Sequence, residues 1–331
     1  MKSTFYFALL GIFFLFLACD PPISATETEY VYRQDMRQLV KNISQSARAA
    51  KPNFIVVPQN GQAVALRSYC SDCATSIDID YMNSIDGIGR EDLNYGYSKD
   101  NTLNSAAQNR ELSNFLNLYK DASKPILVTD YVHSQAGVDD SYQTNSSKGY
   151  VGFAAPSRLL DEIPSYPLKP FNENSYNITS LAGAKNFLYL INPTKFSDKS
   201  AFLQAVANTN YDVVIVDAFF AGSLLSSGDV ETLKTKANGA KRLVLAYMSI
   251  GEAEDYRYYW KTDWETNAPD WLLEENPDWA GNYKVEYWNP DWQGIIFSNS
   301  DSYLNKIVSS GFSGVYLDII DAYEYFEGED R

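Results

Sequence analysis

Short apolar runs that end in polar or charged residues recur along the chain, and amphipathic helical spacing lies between many of them. Such runs predict buried strands of a parallel sheet, since strands covered on both faces have few polar positions. We predict eight strands, at residues 53–59, 87–92, 125–132, 150–155, 187–192, 212–219, 242–250 and 314–321. Eight strands alternating with helices indicate an α/β fold, and the number favours a closed (β/α)8 TIM barrel over an open doubly wound sheet.

The helical pattern is displaced relative to the strands. A helical face from Met36 to Ala47 precedes the first strand, whereas almost nothing follows the last one. Each strand of a barrel needs a helix over its outer face, so we expect the first helix to pack between strands 314–321 and 53–59. The chain is then a circularly permuted barrel, a rearrangement that folded domains tolerate because their termini often lie close together.

Two long connections interrupt the alternation. Residues 157–185 are rich in Pro, Asn and Ser, and are unusually long for a loop in a compact barrel. We interpret them as the segment that joins the ancestral termini, with a lid over the site as the alternative. Residues 252–293 are rich in tryptophan and follow the seventh strand, so we interpret them as a wall of the substrate site.

The N-terminal residues predict export. The apolar run at 5–17 is shorter than the roughly 20 residues of a membrane span and fits a secretory signal, which we place at 1–18. Cys19 after a small residue predicts lipid modification, with 19–29 as a tether and 30–331 as a single domain. A bacterial envelope lipoprotein, held at the membrane only by its lipid, is therefore expected. An ordinary cleaved signal and a secreted protein are the alternative.

Cysteine and charge limit the possible chemistry. Cys70 and Cys73 are the remaining thiols, and with one histidine in the chain they favour a small disulfide or free thiols over zinc.

The net charge of −15 disfavours nucleic acid and anionic lipid as partners. It suits a cationic ligand, although an ordinary exported protein with an acidic surface is equally compatible. Aromatic residues make up 15% of the chain, a proportion that suits sugar-binding surfaces as well as a core.

Acidic residues gather at the predicted carboxyl ends of the strands, where parallel α/β proteins place their chemistry. Charges on one rim raise each other's pKa, so one carboxyl can remain protonated while another is ionised. Mg²⁺ or Ca²⁺ would be an alternative use, but the acids come from different strands without an Asp-x-Asp-x-Asp-Gly loop, so we expect neither metal nor cofactor. His133 has no accompanying Ser-His-Asp order.

Longer motifs resemble the exported barrel proteins related to glycoside hydrolase family 114. The resemblance rests on residues 247–257 (Tyr-Met-Ser-Ile-Gly-Glu-Ala-Glu-Asp-Tyr-Arg), 275–283, 287–293 and 311–325, and extends to 57–61, 85–93 and 130–132. Family members usually run from a strand like 187–192 to one like 150–155, whereas here the second half comes first. The resemblance thus implies that the chain starts at the helix following the usual fourth strand, with a joining segment near 157–186.

The family is associated with endo-α-1,4-polygalactosaminidase activity, so the resemblance implies a glycosidase for an α-linked amino-sugar polysaccharide, such as a cationic galactosamine polymer. It implies Asp318 as nucleophile or base and Glu91 as proton donor, and their separation would distinguish retention from inversion. The expected substrate-binding residues are Asp130, Asp217, Glu252, Glu254, Asp321, Gln59, Asn60, His133 and the stacking rings Tyr316 and Trp288.

Two alternatives to this function stay open. The same barrel could be a non-catalytic glycan-binding surface lipoprotein, which a tight pairing of Glu91 with Arg90 would favour. It could also be a hydrolase of another α-linked exopolysaccharide. In each case we expect a monomer.

Overall fold

The computed structural model of the protein describes residues 31–68 and 76–328. The predicted signal peptide and tether, and with them Cys19, lie outside the described residues, as do Cys70 and Cys73. Among the helices that are described, none is both long and apolar enough to cross a membrane.

All eight predicted strands are present, each slightly shorter than its predicted range. They are β1 (Ile55–Pro58), β2 (Ile88–Glu91), β3 (Ile126–Tyr131), β4 (Val151–Ala155), β5 (Phe187–Leu190), β6 (Val213–Asp217), β7 (Leu243–Ser249) and β8 (Gly314–Asp318). Their side chains are almost wholly buried on both faces, as the aliphatic sequences require.

The strands are parallel but form two sheets, not one continuous ladder. The larger sheet has the order β1-β8-β7-β6-β5 and the smaller one β2-β3-β4. The sheets meet on one side through a parallel bridge between Gln59 and Gly89. On the other side Phe153 of β4 packs on Phe187 of β5, with ring centroids 5.5 Å apart. The fold is therefore mixed α/β with parallel sheets, and the closed barrel stays a prediction.

Nine α-helices occur in the described part of the chain. They are α1 (Val31–Ala50), α2 (Ile79–Ser84), α3 (Ala106–Asp121), α4 (Gln135–Ser147), α5 (Lys199–Ala207), α6 (Ser227–Leu233), α7 (Pro290–Gln293), α8 (Tyr303–Ser309) and α9 (Ala322–Glu327). The helix α9 corrects the expectation that almost nothing follows the last strand. Its six residues pack on α1.

Helix α1 lies beside both β8 and β1. Directly after the helix, Lys51 Nζ donates to the carbonyl of Phe312, just before β8. Arg48 Nε donates to the carbonyl of Phe54, just before β1, at 3.3 Å. Elsewhere α1 contacts α9, which follows β8, and the turn Gln62–Ala65, which follows β1. One helix thus contacts the segments before and after both strands.

The predicted joining segment contains no α-helix. Near its start Arg158 forms an ion pair with Asp92 at the carboxyl end of β2, with Nη2 and Oδ1 3.0 Å apart. Farther on, Asn174 Nδ2 donates to Asp212 Oδ2 at 2.9 Å, at the opposite end of the strands. The segment therefore runs the length of the sheet, where a helix would otherwise connect β4 to β5.

The tryptophan-rich insertion was predicted to be a wall of the substrate site, but three of its tryptophans, Trp264, Trp271 and Trp292, are buried. It folds around a three-stranded antiparallel sheet made of Glu252–Glu254, Asn282–Val285 and Leu272–Glu275. The Trp264 and Trp271 rings meet edge to face and are buried, and Trp271 in turn packs on the buried Trp292. These rings are continuous with the main hydrophobic core, where they bury large apolar groups that the small sheet alone could not cover.

Candidate active site

The two carboxylates predicted to be catalytic lie side by side. Gln59 Nε2 donates to Glu91 Oε2 at 2.8 Å and to Asp318 Oδ1 at 2.9 Å. Because both bonds share one nitrogen, those two oxygens lie at most 5.7 Å apart, which is the sum of 2.8 and 2.9 Å. The sheet order explains the arrangement, since β1, which leads into Gln59, lies between β8 and β2.

A tyrosine holds the outer oxygen of each acid. The Tyr131 hydroxyl donates to Glu91 Oε1 in a short hydrogen bond, and the Tyr247 hydroxyl donates to Asp318 Oδ2 at 2.8 Å. Asn60 Nδ2 adds a bond to Glu91 Oε2 at 3.1 Å. Sequence reasoning missed both tyrosines. The feature of the sequence that could have indicated them is a single aromatic residue near the carboxyl end of a mainly aliphatic strand.

Burial and mutual repulsion keep the site ready to hold a proton. Burial raises the pKa of Glu91, and the neighbouring charge of Asp318 raises it further. Burial also raises the pKa of Asp318, against the opposing effect of the Tyr247 hydrogen bond. Burial raises the pKa of Asp321 to about 7, with Glu324 adding to the effect. The carboxyls at this edge therefore keep a proton to higher pH than free carboxyls do.

The hydrogen bonds also decide which oxygen of Glu91 carries the proton. Its Oε2 faces the amide nitrogens of Gln59 and Asn60, which can only donate. Its Oε1 faces the Tyr131 hydroxyl, which can either donate or accept. The proton of the neutral acid therefore lies on Oε1, where Tyr131 can accept it.

The backbone is strained directly after the strands that carry or adjoin these acids. Asn60, Asp92 and Ile319 have φ values of 58°, 55° and 59°. This left-handed region is uncommon for residues other than glycine, and is a true outlier for a β-branched isoleucine. Such strain is typical of functional sites, where the surrounding structure holds it in place.

The two predicted stacking rings are not placed to meet a sugar. Tyr316 is wholly buried inside the strands and packs edge-on against Tyr189, with centroids 5.2 Å apart. A Cβ at Gly89 would lie 2.0 Å from the Tyr316 hydroxyl, which explains a glycine in the middle of β2. Trp288 packs in an aromatic cluster, with its ring centroid 4.7 Å from that of Phe326. Both rings serve packing.

Asp130 is likewise not placed to bind substrate. Its carboxylate is wholly buried and accepts hydrogen bonds from the Asn94 backbone at 2.7 Å, Ser141 Oγ at 2.6 Å and Asn145 Nδ2 at 3.0 Å. These donors come from the loop after β2 and from α4. The charge therefore joins those two segments to β3, because a buried carboxylate needs several donors.

Asp217 and Glu254 share one guanidinium at the carboxyl edge of β6. Arg257 Nη1 donates to both Asp217 oxygens, at 2.9 and 2.8 Å, and Arg257 Nε donates to Glu254 Oε2 at 2.6 Å. Burial raises the pKa of Asp217 to about 6, although Arg257 opposes the shift. Arg257 was not among the predicted site residues, because nothing in the sequence shows which acids it contacts.

The remaining predicted residues differ in their placement. Glu252 is buried and accepts from Asn276 Nδ2 at 2.8 Å. With Asp321 and Ile319, the residue that follows Asp318, it lines an open cavity of about 390 Å³. The side chain of His133 is exposed on the loop after β3. Within residues 31–68 and 76–328, no group of three or more His, Cys, Asp or Glu side chains is arranged to hold a metal ion.

Comparison with known proteins gives partial matches. Residues 183–330 match the family model of glycoside-hydrolase family GH114, a segment that includes Asp318 but not Glu91. An uncharacterized protein of Methanocaldococcus jannaschii is 40% identical over 156 residues, which cover 46% of this chain and 42% of that protein. An uncharacterized protein of Thermotoga maritima is 41% identical over 124 residues, which cover 38% of this chain and 37% of that protein.

The matched regions thus span less than half the length of these curated relatives. The match of residues 183–330 nevertheless coincides with the segment that supplies Asp318, Tyr247 and the Asp217–Arg257–Glu254 cluster. The C-terminal part of this chain is therefore related to glycoside-hydrolase family GH114.

Proposed function

We propose that the protein is a glycoside hydrolase that cleaves an α-linked amino-sugar polysaccharide, in the manner of an endo-α-1,4-polygalactosaminidase. The observation that carries the proposal is the pair Glu91 and Asp318, which share one amide donor and both have a raised pKa. Two carboxylates that flank the scissile bond are what glycoside hydrolysis requires. The relation to GH114 supports a glycosidase in general, while the amino sugar rests on the resemblance and the charge of −15.

The proposed mechanism is a double displacement with retention. Asp318 attacks the anomeric carbon, and Glu91 gives its Oε1 proton to the departing glycosidic oxygen. Glu91 then removes a proton from water, which attacks the glycosyl ester and releases Asp318. An oxygen separation of at most 5.7 Å supports this course, because retaining enzymes have carboxyls about 5–5.5 Å apart and inverting enzymes about 6.5–9.5 Å.

We propose in addition that the eight strands form a circularly permuted (β/α)8 barrel. Joined at the Gln59–Gly89 bridge and at the Phe153–Phe187 contact, the two sheets give a cyclic order of eight strands. The position of α1 beside β8 and β1 supports a start at the helix that follows the usual fourth strand. The segment near 157–186, which contains no α-helix, is then the joining segment.

Export and anchoring are also part of the proposal. Residues 1–18 would be removed as a signal peptide, and Cys19 would be acylated at the start of a tether that ends at residue 29. Labelled palmitate should enter the wild-type protein expressed in a bacterium, but not Cys19→Ala. Incorporation into both, or into neither, would contradict a lipid anchor at this cysteine.

The non-catalytic alternative predicts that a cation pairs with Glu91. Arg90 instead places Nη1 3.4 Å from Gln62 Oε1, while Glu91 accepts from uncharged donors. Uncharged hydrogen-bond donors and a raised pKa suit Glu91 as a proton donor, since a nearby cation would keep its carboxyl ionised. We therefore favour hydrolysis over binding alone.

The test is release of reducing ends from α-1,4-galactosaminoglycan by wild type, Asp318→Asn and Glu91→Gln. We expect activity in wild type, and losses of at least about 100-fold in both variants, as is typical for essential acid–base groups. Asp270→Asn, at an exposed acid of the insertion, is the matched control and should retain activity. Near-normal turnover in either active-site variant would contradict its assigned role. A panel of other exopolysaccharides would reveal a different sugar preference.

A further inference from the structure

A second cavity opens at the carboxyl ends of β5 and β6, apart from the catalytic pair. Its volume is about 530 Å³, within the range typical of ligand pockets. The residues that matter for the argument are Asn192, Asp217, Phe219, Tyr256, Arg257 and Tyr258. Together they combine exposed aromatic rings with a charged floor.

The aromatic side of this cavity is held in place before any ligand binds. Phe219 and Tyr258 stack with centroids 5.5 Å apart and an interplanar angle of 22°. The Tyr256 hydroxyl donates to Glu254, yet 59% of Tyr256 is exposed, as is 41% of Tyr258. Aromatic rings that are held in place and partly exposed suit contact with the apolar C–H groups of a pyranose.

The floor of the cavity is acidic. Asp217 and Glu254 share the single positive charge of Arg257, so the three groups carry one net negative charge when both acids are ionised. Asp217 keeps 14% of its side chain exposed and lines the cavity, so its carboxylate can accept from a ligand hydroxyl or ammonium group. A uronic acid would be repelled by the same charge.

This cavity continues the edge that carries the catalytic pair. Asp217 on β6 is in register with Tyr247 on β7, and the Tyr247 hydroxyl donates to Asp318. Asp318 itself is in register with Ser249, two residues farther along β7, so Asp217 and Asp318 are two strand spacings apart across the sheet and two residues apart along it, roughly 12 Å in all. This distance is short enough for one oligosaccharide to reach from the proposed cleavage site to the cavity.

From this geometry we infer that the cavity is a distal subsite for a neutral or amino pyranose unit of the polysaccharide. The inference rests on the proposed glycosidase function, which supplies the polymer. It adds a place where the chain is held away from the cleaved bond, so that longer substrates bind more tightly than short ones.

The test measures binding of α-1,4-linked galactosamine oligosaccharides, from disaccharide to octasaccharide, to the cleavage-disabled Glu91→Gln protein by calorimetry. Tyr258→Ala removes half of the aromatic stack, and Thr194→Trp fills the cavity from an exposed lining position. Tyr176→Ala is the control, because Tyr176 is 70% exposed and adjoins Asn174 at the opposite end of the strands.

We expect both cavity variants to weaken octasaccharide binding roughly five- to tenfold, the loss of a favourable aromatic contact. Disaccharide binding should not change, and the control should match its parent at every length. Cavity variants that bind the octasaccharide as tightly as the parent protein does, or a parent protein that binds no oligosaccharide, would overturn the inference. Length-dependent binding without any release of reducing ends by wild type would instead refute the proposed hydrolysis and leave the subsite standing.

Discussion

The Gln59 amide joins the two proposed catalytic acids, so Gln59→Ala perturbs the site at its centre. The substitution removes hydrogen bonds of 2.8 and 2.9 Å to carboxylates. Hydrogen bonds to charged groups contribute about 1.5–3 kcal/mol each. Asn60, Tyr131 and Tyr247 still donate hydrogen bonds to the two acids after the substitution. We therefore expect the loss of transition-state stabilisation to be smaller than the sum of the two lost bonds. We expect the activation free energy to rise by about 3–4 kcal/mol, which is equivalent to a fall in kcat of roughly 10²- to 10³-fold.

The same substitution shifts the pH profile in a defined direction. The amide donates to the charged forms and therefore opposes the rise in pKa caused by burial, so its loss raises the pKa of both Asp318 and Glu91. Asp318 must be ionised, which moves the acidic limb of kcat/KM to higher pH. Glu91 must be protonated, which moves the alkaline limb in the same direction.

The assay is the initial rate of reducing-end release across the pH range, with Gln62→Ala as the matched control. Gln62 is buried in the turn after β1, but its Nε2 donates to the carbonyl of Gly89 at 3.3 Å and not to either acid. The control should keep both limbs in place. The reasoning fails if Gln59→Ala keeps kcat within about threefold with unmoved limbs, or if the control shifts equally.

Two further predictions concern stability. Glu91→Gln should raise the melting temperature more at pH 8 than at pH 4.5. A carboxyl whose pKa is raised in the folded state stabilises the protein below its unfolded pKa, and this contribution is lost as the pH rises through the folded pKa. An equal change in melting temperature at both pH values would contradict this prediction. Asp130→Asn should lower the free energy of unfolding by about 2–4 kcal/mol in denaturant titration, because the new amide group would face the donors of Asn94, Ser141 and Asn145 with a donor of its own. Both limbs of the pH profile of activity should stay in place. Unchanged stability, or a shifted profile, would contradict the structural role that we assign to Asp130.

The strands and the gathering of acids at one edge were predictable for one physical reason, whereas the choice of Glu91 and Asp318 among those acids rested on the family resemblance. Aliphatic runs form buried parallel strands, and parallel strands bring their carboxyl ends to one edge, so the acids at residues 91 and 318 had to converge. The sequence could not show that Gln59 bridges them, since that depends on β1 lying between β8 and β2. The same holds for Tyr131 and Tyr247, whose partners lie on other strands.

Asp130 and the tryptophans show where such reasoning stops. Asp130 precedes Tyr131 on one strand, yet its carboxylate is directed toward α4 while the tyrosine hydroxyl reaches Glu91. Neighbouring residues on a strand face opposite sides, so a shift of one position exchanges a structural acid for a site residue. The tryptophan-rich insertion could equally have covered a substrate or itself, because composition does not distinguish a buried ring from an exposed one.

The most direct test of the central claim is to look for a sugar ester on Asp318. Glu91→Gln, incubated with α-galactosaminyl fluoride, should accumulate a covalent adduct, because fluoride leaves without an acid while hydrolysis of the ester needs the missing base. Mass spectrometry of the digested protein should then find one galactosaminyl unit on the peptide that contains Asp318. Turnover of the fluoride without an adduct, or an adduct on a different peptide, would contradict the account.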